Sequence, residues 1–121
     1  MSGIPSGNWT EVLKSTQLTA ISNTAAQTLV TGVANHIYTV LSIIVCESID
    51  DQNDKIDIYL ADSDGSSNPV YIVRDQMVTI GQTFVFNDKF SFTGGTQKLQ
   101  IIAKSEANFD AICTYIDQDW T

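Results

Sequence analysis

The sequence is short of positive charge. It holds six Lys and Arg against 14 Asp and Glu in 121 residues, for a formal net charge of −8 and a pI near 4.2. Neutralising a nucleic-acid backbone needs clustered cations. Here Lys14, Lys55, Arg74, Lys89, Lys98 and Lys104 are scattered singly along the chain, so no nucleic-acid partner is expected. No basic segment leads into an apolar core at the start, which speaks against a secretory signal. No apolar run approaches the roughly 18 residues of a membrane span; the longest, around 43–46, is broken by Ser42 and Glu47. These absences predict a soluble chain made in the cytoplasm, with no membrane partner.

Catalytic side chains are equally sparse. His36 is the single histidine, and a Ser-His-Asp triad would have to use it, yet no Gly-x-Ser-x-Gly elbow is present. A turn or solvent-facing role is the economical reading of His36. Carboxylates abound, but Asp50, Asp51, Asp54, Asp62, Asp64, Asp117 and Asp119 fall at turns and read as solvated acids, not as a glycosidase pair. The run Asp62-Ser63-Asp64-Gly65-Ser66 resembles the start of a calcium loop, but Tyr71 stands where the pattern requires Glu. Asn8-Trp9-Thr10 matches a glycosylation sequon by chance. The two cysteines, Cys46 and Cys113, read as small buried hydrophobes, bridged only if their strands are neighbours. No catalytic, cofactor-binding or metal residue is assigned, no cofactor is implied, and an enzyme is not expected.

What is present is a strand pattern. Ile56, Ile58 and Leu60 alternate with Asp57, Tyr59 and Ala61; Phe84 pairs with Phe86, Phe90 with Phe92, and Leu99 and Ile101 with Ala103. Phe109, Ala111, Cys113 and Tyr115 share a face, and residues 37–46 are apolar on both faces, as in a central strand covered on both sides. Turn-forming clusters separate these runs at 50–54, 62–69 and 105–108, and Gly94-Gly95 offers positive φ for a tight hairpin. One domain is predicted: an all-β antiparallel sandwich, jelly-roll-like or Ig-like. The core is expected to hold Leu41, Ile43, Ile58, Leu60, Phe84, Phe86, Leu99 and Ile101.

Residues 1–35 differ from the rest, carrying no charge from 15 to 35. They are expected to form an extended N-terminal arm or edge strands beside a core at 36–121. An uncharged arm is buried on a partner without desolvating ions. Both tryptophans, Trp9 and Trp120, lie near the chain ends, and Trp is enriched at the centres of interfaces. Ile4, Pro5, Trp9, Val12, Leu13 and Trp120 are therefore the candidate partner interface. The alternative is that both ends fold back on their own domain.

The strand run from 37 to 117 resembles a group of small β-sandwich virion proteins of tailed bacteriophages. The pieces that carry the resemblance are Tyr38-Thr39-Val40-Leu41-Ser42-Ile43-Ile44-Val45, Pro69-Val70-Tyr71-Ile72-Val73, Thr79-Ile80-Gly81-Gln82-Thr83, Leu99-Gln100-Ile101 and Cys113-Thr114-Tyr115-Ile116-Asp117. Cys46-Glu47, Ile80-Gly81 and Gly94-Gly95 depart from that group's usual residues without disturbing the strand pattern. The resemblance implies a non-enzymatic structural protein located in the virion, foremost a capsid decoration or cement subunit. Its partners would be phage structural proteins and further copies of itself in a homo-oligomer. The alternatives are a neck or tail-fibre component and, from a different class, a host-glycan-binding module, for which Tyr59 and Tyr71 beside the 62–69 loop are the candidate aromatics.

Overall fold

Two-residue alternation builds strands, and the computed structural model contains nine among the residues it describes: 10–21, 25–47, 54–79, 81–104 and 109–120. They are β1 (Thr10–Ile21), β2 (Gln27–Val30), β3 (His36–Glu47), β4 (Asp54–Asp62), β5 (Val70–Val78), β6 (Thr83–Phe86), β7 (Phe90–Thr93), β8 (Gln97–Ala103) and β9 (Phe109–Asp119). No helix of the described residues is long and apolar enough to cross a membrane.

The strands form two antiparallel sheets. Sheet I has the order β1-β9-β3-β6, with β7 also on β3: β7 covers Ile37 to Val40 and β6 covers Ile43 to Cys46. Sheet II has the order β2-β8-β4-β5. Counting β6 and β7 as one interrupted strand, this interleaving of eight strands between two sheets is a jelly roll. The segment expected as arm or edge strands supplies one edge of each sheet in its described residues: β1 pairs with β9, and β2 pairs with β8.

The core lies between the sheets. Ile43, Ile58, Leu60, Leu99 and Ile101 are buried there as expected, joined by Val40, Val45, Ile56 and Phe109. Three expected members differ. Leu41 is half-buried because it is the extra residue of a bulge: Val40 pairs with Tyr115 and Ser42 with Thr114, so Leu41 has no partner on β9. One inserted residue flips the side chains; Tyr38 and Val40 face inward before it, Ile43 and Val45 after it. Phe84 and Phe86 do pack against the core, but β6 is an edge strand and leaves both half-exposed.

The expected positive φ at Gly94-Gly95 is absent; among the described glycines it occurs at Gly65 and Gly81. Gly94 is needed for a different reason. A Cβ there would lie 2.5 Å from the Tyr38 ring and 2.5 Å from the Val33 carbonyl oxygen. The β7–β8 turn therefore closes by packing its backbone on the segment before β3. Cys46 and Cys113 are free; they sit on the neighbouring strands β3 and β9, with Cys113 buried in the core and Cys46 half-buried on the other side. Burial was expected of both, and only Cys113 has it.

Candidate functional site

The outer surface of sheet I follows from its register. Ile112 on β9 lies opposite Gln17 on β1 and Ile44 on β3, and Ile44 lies opposite Val85 on β6. Two steps along, Leu13 and Ile116 pair, and Ile116 meets Thr39. Between these rows stand Ser15, Thr114 and Ser42. The central part of this face therefore carries no charge, in a protein of net charge −8. Leu13 is 66% exposed, Val85 51%, Ile112 39% and Ile44 36%. Contiguous exposed apolar side chains mark interaction surfaces. The expectation that β3 is covered on both sides fails here among the described residues, which leave Ile44 36% exposed.

A second cluster ties the open end of the sandwich. Asp117, expected to be a solvated turn acid, is 6% exposed on the inner face of β9. Its two oxygens meet Lys14 Nζ from β1 at 2.9 Å and His36 Nδ1 from β3 at 2.7 Å. His36 is likewise not solvent-facing; its side chain is 16% exposed. The hydrogen bond to Asp117 holds the Lys14 ammonium above its usual pKa. Burial, and then the Asp117 charge, raise the Tyr38 phenol. The Tyr38 hydroxyl accepts the Val33 N–H at 3.2 Å. A hydrolytic triad needs the second imidazole nitrogen aimed at a nucleophile. In this protein Nε2 faces Asp119 at 3.5 Å, so the ring is a clamp between carboxylates. The cluster joins β1, β3 and β9 and lines a cleft of about 280 Å³.

The outer surface of sheet II gathers four of the six cations that look scattered in the sequence. Lys55 on β4, Lys98 on β8 and Lys104 just after β8 alternate with core residues and so project outward, and the Arg74 guanidinium lies over the Tyr71 ring at 4.5 Å. Among them sit Asp57, 3% exposed, and Tyr59, 8% exposed. Burial, followed by Tyr71 and Asp57, raises the Tyr59 phenol, and the bond to Asp57 raises Lys104. The 62–69 loop borders this face. Its Asp64 accepts the N–H groups of Ser66 and Ser67 at 2.9 and 2.8 Å and the Ser67 hydroxyl, which together lower its pKa to about 2. That carboxylate is engaged by its own loop.

The candidate interface residues fall in different places. Ile4, Pro5 and Trp9 lie outside the described residues. Leu13 joins the outer face of sheet I; its neighbour Val12, 46% exposed, points to the opposite side beside Asp117. Trp120 is half-buried and its backbone N–H donates to the Asn35 carbonyl at 2.9 Å. Sequence reasoning missed Ile44, Val85, Ile112 and Ile116. The signal was the alternation itself, whose outward members are apolar on β3, β6 and β9.

No protein-family profile and no curated protein matches this sequence. Solved structures match the fold across most of the chain. A subunit of Bacillus endospore appendages, described as disulfide-linked pili, aligns at TM-score 0.58 and 15% identity over 100% of this chain and 98% of its own. The CBM22-1 xylan-binding domain of Paenibacillus barcinonensis Xyn10C aligns at 0.54 and 13%, over 93% and 86%. A chain of infectious bursal disease virus, Gx strain, aligns at 0.52 and 12%, over 93% of this chain and 33% of its own. At such identities the likeness establishes the fold alone: this is an antiparallel jelly-roll sandwich, an architecture found in those virus, pilus and carbohydrate-binding proteins.

Proposed function

We propose that the chain is a non-enzymatic structural subunit of a tailed-phage virion, a capsid decoration or cement protein that joins copies of itself through the outer face of sheet I. The observation that carries this reading is the uncharged apolar row Ile112–Ile44–Val85, with Leu13 and Ile116 beside it. Copies that each carry −8 repel one another least where they meet through a face without central charge. Burying side chains of this kind contributes about 1.5–3 kcal/mol each when fully removed from water. The virus and pilus neighbours support an assembled, extracellular setting; the position on the capsid is drawn from the bacteriophage resemblance of residues 37–117.

The test sets the mass of the full-length protein in solution beside its copy number in a purified particle. An oligomer in solution and a fixed, repeated copy number in the particle are expected. Val85→Asp and Ile112→Lys are expected to dissociate the oligomer while the melting temperature stays within about 2 °C of wild type, because both side chains point away from the core. A monomeric wild type, or variants that assemble normally, sinks the interface. Deleting residues 1–13 is a poorer test, since it also removes four β1–β9 pairs from Thr10↔Asp119 to Leu13↔Ile116.

A further inference from the structure

The strand β5 is irregular where it passes Asp57. Ile56 pairs with Gln76 but Ile58 pairs with Val73, so β5 carries an extra residue opposite Asp57. Asp75, within that bulge, has φ +52, a conformation that side-chain-bearing residues seldom adopt. Bulges and positive-φ residues re-aim groups next to sites. This one turns the Asp75 N–H onto Asp57 Oδ1 at 2.7 Å. Lys104 Nζ closes the arrangement, 3.2 Å from Asp57 Oδ2 and 3.4 Å from Asp75. A carboxylate sunk into a sheet surface is not needed for stability, because an apolar residue in its place is often neutral or better.

We propose that the depression beside this cluster, on the outer face of sheet II, is a binding site for a neutral saccharide. It measures about 350 Å³ and is lined by Asp57, Tyr59, Ser66, Pro69, Tyr71 and Lys104, with Ile102. That volume is at the lower end for small-molecule sites, about 300–1,000 Å³. Its walls combine aromatic and aliphatic surface with separate acceptors and donors: the Asp57 carboxylate, the Lys104 ammonium and the Ser66 hydroxyl. A sugar ring presents the matching surface, apolar C–H groups on its face and vicinal hydroxyls on its edge.

Charge gives an ionic ligand little hold. Asp57 and Asp75 offset Lys104 and Arg74, and Lys98 lies near Asp64 of the bordering loop, which leaves Lys55 as the one further cation of this face in a chain that is acidic overall. The aromatic wall is fixed before any ligand arrives: Arg74 covers Tyr71, and Tyr71 meets Tyr59 at 5.6 Å and 50°. Rings held in place lose little freedom on binding. The site does not depend on the assembly reading; the two outer faces lie on opposite sides of the sandwich, so a subunit docked through sheet I leaves this one open.

The test is isothermal titration calorimetry of the full-length protein with neutral hexasaccharides of glucose, galactose, mannose, xylose and N-acetylglucosamine. Saturable binding to at least one is expected, with Kd on the order of 0.1 mM and little change between low and high salt. Tyr71→Ala and Asp57→Asn are expected to weaken it at least tenfold, and Asp88→Asn, on the exposed β6–β7 connection, to leave it unchanged. Tyr71 is 40% exposed, so its variant keeps the fold, as its melting temperature would verify. Three results overturn the proposal: no saturable response to any of the five, binding that survives both substitutions, or a salt-sensitive response confined to polygalacturonate or inorganic phosphate.

Discussion

Gly94→Ala and Gly95→Ala differ by one position in the same turn, and the structure assigns them opposite consequences. At Gly94 a methyl group would sit 2.5 Å from both the Tyr38 ring and the Val33 carbonyl oxygen, and 2.7 Å from the Val33 nitrogen. Ordinary contact begins near 3.4 Å, so two backbone segments must separate by close to 1 Å. Overpacking of this kind costs about 1–3 kcal/mol. Displacing Val33 from the Tyr38 hydroxyl, now 3.2 Å away, adds about 1 kcal/mol. The expected total is about 3 kcal/mol, a fall of roughly 12 °C in Tm for a domain of this size. At Gly95 the nearest atom to an added methyl is the Ala34 Cα at 3.6 Å, and φ is not positive. There the smaller entropy of the unfolded chain gives a change between zero and about 1 kcal/mol of stabilisation. Thermal and urea denaturation of the two variants measure the difference. Equal midpoints would refute the close-approach account of this turn.

Phe109→Ala, at the largest fully buried side chain, is expected to cost about 3–5 kcal/mol; Phe86→Ala, on the half-exposed edge, only about 1–3 kcal/mol. A larger loss at Phe86 in urea melts would reverse the assignment of core and rim. The Asp64 carboxyl has a folded pKa of about 2, below its ordinary 3.8, so the loop gains from its ionisation above pH 3.8 and loses that gain as pH falls toward 2. An NMR titration midpoint near 3.8 contradicts this, and Ser67→Ala should raise the midpoint. Burial pushes the Cys113 thiol up to about 12, so a thiol reagent at pH 8 should modify Cys46 and spare Cys113 until the chain unfolds; two equally fast thiols would show that the core is open there.

The alternating runs that encode β4, β8 and β9 stand out in the linear chain because a strand one face of which meets a core needs only local spacing to declare itself. The buried positions Ile58, Leu60, Leu99 and Ile101 follow from that spacing alone, as does the sandwich class. Leu41 does not follow, because a bulge is a property of the pair β3–β9, and one unpaired residue reverses the side chains of all that come after it. Nor does Asp117: the same carboxylate is solvated at a turn or buried in a clamp according to whether Lys14, 103 residues away, arrives beside it. Lys104 and Asp57, separated by 47 residues, become one cluster only when β4 and β8 pair. Alternation determines which residues turn inward; pairing between distant strands determines which of the outward residues become neighbours, and both candidate surfaces of this protein are made by that second step.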